Sequence, residues 1–247
     1  MDSVCIVTGG SRGIGRATAV AAAKRGYKVV VGYASNKAAA DEVVAQIDGS
    51  NGKAVAIKCD VGVEADILDL FKKADAFGKL GVLVNNAGVV DMTARVDEMS
   101  AARLARMMNI NVVGSILCAR EAVKRMSSKH GGSGGVIVNI SSVAATLGSP
   151  AQYVDYAASK GAIDTFTVGL AREVSGEGIR VNAIRPGLID TEIHASGGEP
   201  GRAQKLAHMV PMKRVGTAEE IANAIVWLMT DDASYVTGAI LDVSGGR

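Results

Sequence analysis

Tyr156 and Lys160 stand four residues apart in Tyr156-Ala157-Ala158-Ser159-Lys160, the spacing that brings two side chains onto one face of a helix. An ammonium group there lies within reach of a phenol. Tyrosine ionises near pH ~10 in isolation, and a neighbouring cation favours the phenolate, drawing the group toward the range where proton exchange works at neutral pH. The pair is a candidate general acid/base. Taken alone it also fits a solvated helix face, so its meaning rests on what surrounds it.

A second chemical signal is Thr8-Gly9-Gly10-Ser11-Arg12-Gly13-Ile14-Gly15. It follows a β-branched run and opens a helical one, and glycines there let backbone turn tightly and approach a pyrophosphate seated on free helix N–H groups. The spacing of Gly9, Gly13 and Gly15 departs from G-x-G-x-x-G. No Gly-Lys-Ser/Thr follows, which excludes a P-loop nucleoside triphosphatase. At the end of the next strand the chain reads Gly32-Tyr33-Ala34-Ser35-Asn36-Lys37, without the carboxylate that would accept a ribose 2′-hydroxyl and repel a 2′-phosphate. Ser35 and Asn36 can donate to phosphate, and Arg12 and Lys37 add positive charge. NADP(H) is the expected cofactor, with NAD(H) the alternative. Lys37 also fits an exposed position in a helix's first turn.

These residues need elements to hold them. Strand-like runs at 4–8, 28–33, 54–59, 82–86, 135–141, 180–185 and 239–243 alternate with amphipathic stretches at 14–25, 37–47, 64–76, 101–127, 156–175 and 218–229. Strand and helix repeated this way predict right-handed crossovers and a doubly wound α/β fold of about seven parallel strands with helices on both faces. No Pro/Ser-rich linker divides residues 1–247, so one domain is expected. The one long interruption, about 186–215, follows a strand's carboxyl end, where open α/β sheets bind ligands, and reads as a substrate lid. Its His194, His208, Met209 and Met212, with Thr146, Leu147, Gln152 and Tyr153, are expected to shape the substrate pocket.

The 247 residues are 48% apolar and 4% aromatic, with 30 glycines, and 27 basic against 25 acidic residues leave a net charge of +2. That balance gives no charge signal for nucleic acid or membrane surfaces. No apolar run reaches the ~18 residues of a membrane helix and no signal peptide opens the chain, so a cytoplasmic protein is expected. Cys5, Cys59 and Cys118 are widely spaced within apolar runs and read as buried free thiols. No metal is expected.

With Thr8–Gly15, Asn85-Asn86-Ala87-Gly88 and Tyr156–Lys160 in this order, and Val243-Ser244-Gly245-Gly246 at the close, the chain resembles the short-chain dehydrogenase/reductase family over nearly its whole length. The resemblance implies a Rossmann-type sheet and hydride transfer between nicotinamide C4 and a carbonyl or alcohol carbon. It implies that Tyr156 is the proton donor or base, that Lys160 lowers its pKa and holds the nicotinamide ribose, and that Ser142 bonds the substrate oxygen. Asn111, in Asn111-Val112-Val113-Gly114, matches the residue that anchors a water linking Lys160 to solvent. Asp60 and Val61 match contacts to the adenine, Asn86, Ala87 and Gly88 line its ribose, and Pro186, Gly187, Ile189 and Thr191 fix the carboxamide. Ser142 lies fourteen residues before Tyr156. Side chains alternate along a strand, so only one of Ser141 and Ser142 can face the site.

Within the family, Tyr153-Val154-Asp155-Tyr156 and the stretch 194–202 look like a bacterial subgroup of oxidoreductases and sugar dehydrogenases, the glucose 1-dehydrogenase type included. A competing reading is 3-oxoacyl-[acyl-carrier-protein] reductase, for which Lys129 could help dock an acidic carrier, although Glu177 stands where such reductases tend to have a second arginine. A catalytically silent NADP(H)-sensing or scaffold protein is the reading from another class, and the complete set of Asn111, Ser142, Tyr156 and Lys160 argues against it. The resemblance also implies a homotetramer acting on a small-molecule substrate.

Overall fold

Residues 3–192, 197–199 and 201–247 are described by the computed structural model of the chain. Among them the β-branched runs form seven strands, β1 (Ser3–Val7), β2 (Lys28–Tyr33), β3 (Lys53–Lys58), β4 (Lys79–Asn85), β5 (Gly135–Ile140), β6 (Ile179–Pro186) and β7 (Ile240–Val243). All pair in parallel in the order β3-β2-β1-β4-β5-β6-β7. The helices are α1 (Gly13–Lys24), α2 (Lys37–Asp48), α3 (Glu64–Phe77), α4 (Ala101–Met108), α5 (Gly114–Met126), α6 (Ala144–Leu147), α7 (Val154–Val174), α8 (Arg202–Lys205) and α9 (Ala218–Met229).

Alternation along the strands builds a core on each face of the sheet. From β1, Cys5 and Val7 pack with Ala19 and Ala22 of α1 and Ile221 and Ile225 of α9. Val4 and Ile6 point the other way, onto Ile67, Leu70 and Phe71 of α3 and Cys118 and Ala122 of α5. The chain steps outward from β1 to β2 and β3, then returns across β1 to continue as β4. That reversal opens a crevice at the carboxyl ends of β1 and β4, the usual ligand position in such sheets. The three cysteines are buried and free; burial pushes the Cys59 thiol up to about 12 and raises Cys5 and Cys118 as well, so none is a thiolate at neutral pH.

One local expectation needs correction. The single helix read over 101–127 is interrupted by a π-helical segment, Asn109–Val113, between α4 and α5. Winding in an extra residue re-aims the side chains that follow, and apolar periodicity carries no sign of it. A Cβ at Gly114 would stand 2.5 Å from the Val61 carbonyl oxygen, so the segment leans against the turn after β3 at a point where only glycine fits. The loop after β6, expected to form a lid, carries structure of its own among the described residues. Ile189 bridges to Gly216 and α8 lies within it, which closes the loop back on its own base.

Candidate active site

The turn after β1 is built against the turn after β4. The Thr8 hydroxyl accepts from the backbone N–H groups of Asn86 and Ala87, each at 3.0 Å, while Asn86 Nδ2 donates to the Thr8 and Gly9 carbonyls at 2.9 and 3.0 Å. Gly15 presses into the same knot: a Cβ there would lie 2.2 Å from the Gly9 oxygen and 2.5 Å from Asn86 Nδ2. No side chain caps the N-terminus of α1. Its first N–H groups are left for an anion.

A cleft of about 600 Å³ runs from this turn along the strand ends. Its walls include Gly9, Ser11, Arg12, Gly13, Ile14, Ser35, Asn36, Asp60, Val61, Asn86, Ala87, Gly88 and Thr191. These are thirteen of the positions expected to meet a dinucleotide. The cradle fits that group, with an uncapped helix end, glycines where a side chain would collide, and no carboxylate at the end of β2. Asn36 also caps α2, its Oδ1 accepting from the Ala39 N–H at 3.0 Å. Lys37 does not line the cleft; its ammonium pairs with Asp41, one turn along α2, at 2.6 Å. Pro186, Gly187 and Ile189 do not line the cleft; Pro186 ends β6, and Ile189, just beyond it, is buried.

Behind Gly88, which lines the cleft, Asn111 and Lys160 come together, and Tyr156 and Ser142 adjoin them. Lys160 is buried on α7 and donates to the Ile140 carbonyl, at the end of β5, at 2.7 Å. Its ammonium lies 5.5 Å from the centre of the Tyr156 ring, and a Cβ on Gly88 would be 3.6 Å from it. The Ser142 hydroxyl acts on the Tyr156 phenol, drawing its pKa down, and accepts from the Ala144 N–H at 3.1 Å. Ser141 faces the other way, donating to the Lys160 carbonyl at 3.2 Å. Asn111, within the π segment, exchanges hydrogen bonds with the Val89 backbone, accepting at 2.8 Å and donating at 3.0 Å. It also donates to the Ser159 hydroxyl, which donates to the Tyr156 carbonyl.

The electrostatics depart from the simple expectation that Lys160 holds Tyr156 down. Burial raises the Tyr156 phenol above its ordinary value, and the Ser142 hydrogen bond acts against that rise. Burial also drives the Lys160 ammonium down to about 8, opposed by the Asp164 carboxylate. Desolvation therefore dominates both groups.

Other residues at the site carry little or no sequence signal. Val89, Val90 and Asp91 simply continue the Asn86–Gly88 wall, and Arg106 of α4 and Ile110 of the π segment also line the cleft. Arg103 on α4 grips Asp155, the residue before Tyr156, through Nε at 2.8 Å and Nη2 at 3.2 Å, and donates to the Met92 carbonyl at 2.6 Å. Of the expected pocket residues, Tyr153 is buried and shares a hydrogen bond with Thr93 at 3.0 Å. Gln152 accepts from Arg202. Thr146, Leu147, His208, Met209 and Met212 are exposed, and His194 lies outside the described residues.

The geometry can be set beside known proteins. A short-chain dehydrogenase from Burkholderia cenocepacia J2315, solved in complex with NADP, superposes with a TM-score of 0.91 at 30% identity over 100% of this chain and 98% of that one. A family model described as enoyl-(acyl carrier protein) reductase matches residues 9–247. The chain belongs to the short-chain dehydrogenase/reductase family. Relatives within it include the uncharacterized oxidoreductase YgfF of Escherichia coli (strain K12), 54% identical over 99% of this chain and 100% of that protein. Glucose 1-dehydrogenase 2 of Bacillus subtilis (strain 168) is 42% identical over 98% and 93% respectively. As a short-chain dehydrogenase/reductase, this protein is an oxidoreductase that works with a nicotinamide dinucleotide.

Gly15→Ala tests the fit of the cradle. The methyl group has no room, and overpacking strain of about 1–3 kcal/mol is expected to weaken NADPH binding about tenfold or more in a fluorescence titration. Unchanged affinity would mean that the turn does not seat the dinucleotide.

Proposed function

We propose that this chain is an NADP(H)-preferring oxidoreductase acting on a carbonyl or secondary-alcohol carbon, with Tyr156 as its general acid/base. The observation that carries this reading is the buried Lys160 ammonium, 5.5 Å from the centre of the Tyr156 ring and next to Gly88 in the wall of the dinucleotide cleft. NADP(H), when bound, supplies or accepts the hydride at its nicotinamide C4.

The chain's own groups have defined tasks. Gly9–Gly15 and the start of α1 hold the pyrophosphate, and Arg12 and Ser35, exposed at the mouth of the cleft, meet the 2′-phosphate. Asp60 and Val61 border the adenine, and Lys160 reaches the nicotinamide ribose. In reduction Tyr156 Oη gives its proton to the substrate oxygen while Ser142 Oγ–H steadies the charge developing there. In oxidation both transfers run backward. Lys160, as ammonium, stabilises the phenolate left behind. Asn111 holds Val89 and Ser159 in place and, through them, the far side of the same helix turn. A water at Asn111 would complete a path for the proton to solvent.

The small-molecule reading is favoured over docking of an acyl carrier. Glu177 accepts a hydrogen bond from the buried Ser127 hydroxyl, so an acid occupies the place where a carrier would need a base. The assembly that goes with this reading is a homotetramer, supported by the exposed apolar side chains Leu104, Met108, Val113 and Ile116 along α4 and α5.

Tyr156→Phe is expected to cut turnover by about 10²–10⁴-fold while NADPH affinity holds; retention of more than about a tenth of the rate would refute the assigned role. Reductive turnover in the unmutated protein is expected to fall as pH rises through about 8, where Lys160 loses its proton. A rate still flat at pH ~10, near lysine's ordinary value, would show that the ammonium is not required. Arg12→Ala is expected to weaken NADPH about tenfold and leave NADH nearly unchanged, whereas Lys37→Ala, which breaks only an exposed pair with Asp41, should leave the preference intact.

A further inference from the structure

The face of α7 that carries Tyr156 and Lys160 continues, one turn on, to Asp164. This carboxylate is almost fully buried, with a side chain 10% exposed. Its Oδ2 accepts twice from Arg185, on β6, from Nε at 3.0 Å and Nη2 at 2.8 Å. Its Oδ1 is buried and has no hydrogen-bond partner. A buried carboxylate oxygen left unbonded is costly and calls for a reason. Arg185 could have met both oxygens in the usual fork; instead it spends both donors on one and extends Nη1 toward Asp242 of β7 at 3.5 Å.

We propose that Asp164, clamped by Arg185, is the positioning residue that fixes the charge of Lys160. This rests on the proton-transfer reading of Tyr156 and Lys160 given above. Opposite charges at i and i+4 on one buried helix face attract through a region that little water screens, and Asp164 acts on Lys160 against the effect of its burial. The other elements around Lys160 offer no equivalent. β5 gives it only the Ile140 carbonyl, and the π segment gives the neutral Asn111. The turn after β4 gives Gly88, and α7 gives the neutral phenol of Tyr156. Asp155, at the start of α7, is already matched by Arg103. β6 contributes Arg185, and Asp242 lies behind it, half-exposed on β7. Asp164 is thus the acid that shares the Lys160 face of α7 and keeps one buried oxygen unbonded. Arg185 sets how much of that charge Lys160 feels, since a free carboxylate would hold the ammonium more firmly and a fully neutralised one would release it.

The test reads Lys160 directly. Trace acetylation of the full-length protein over a pH series, with the Lys160 peptide quantified by mass spectrometry, gives the midpoint of its deprotonation without any need for turnover. Asp164→Asn is expected to lower that midpoint, and the alkaline limb of reductive turnover with it, by about one pH unit. Arg185→Gln is expected to raise both, and Asp164→Glu, which keeps the charge, to restore most of the original midpoint. A purely structural role would lower the rate without moving either midpoint. A folded Asp164→Asn protein with both midpoints unchanged overturns the proposal; if that variant does not fold, an Arg185→Gln midpoint that stays put or falls overturns it equally. Should Tyr156→Phe prove fully active, the proton-transfer reading fails, while the acetylation midpoints still decide whether Asp164 governs Lys160.

Discussion

Burying an ammonium group costs several kcal/mol unless its protons are received on arrival, and much of the site can be understood as meeting that demand for Lys160. The Ile140 carbonyl does so from the end of β5, where the sheet's ladder gives way to the turn that carries Ser142. For the bond to form, α7 must pack closely over β5 and β6. Small residues on its inner face, Ala157, Ser159 and Ala171, permit that approach. The same packing excludes water around Tyr156, so the dehydration that depresses the lysine also raises the phenol. The two shifts reverse the order of the pair: in water the phenol ionises slightly before the ammonium, whereas here the ammonium gives up its proton first, at about 8, and the phenol keeps the proton it would donate.

One segment joins this proton-transfer end to the dinucleotide end. Residues 86–89 are tied on one side to Thr8 and Gly9, through Asn86 and Ala87, and on the other to Asn111, through Val89. Asn111 in turn reaches Ser159 on α7. A shift in the glycine turn would therefore be felt at the catalytic helix through four or five hydrogen bonds, without crossing a flexible loop. Asn111 makes this linkage from within the π segment.

Much of this could be read in the sequence. β-Branched runs placed the strands to within a residue at most ends, most firmly for β1 and β2, which are buried on both faces. The start of β4 was the exception: Lys79 to Gly81 are only partly apolar, and their strand character comes from pairing with Ser3 and Val4 across a bulge. Local motifs placed Gly9–Gly15, Asn86–Gly88 and Tyr156–Lys160 at one end of the sheet. What stayed hidden depends on contacts distant in sequence. Lys37 looked like a phosphate ligand until its partner proved to be Asp41 on the same helix. Arg103 meets Asp155 across 52 positions, and Arg185 meets Asp164 from a different strand. Such pairings leave no periodic trace.

The central claim is that this site passes a hydride between the dinucleotide and a substrate carbon while Tyr156 handles the proton. It is tested most directly by running the purified protein with NADPH deuterated at nicotinamide C4, each epimer separately, against a panel of ketones and aldehydes, and reading the alcohols by mass spectrometry and NMR. The account predicts deuterium on the carbinol carbon from one epimer only, with the hydroxyl proton drawn from solvent. Alcohol formed without deuterium on that carbon from either epimer would contradict it.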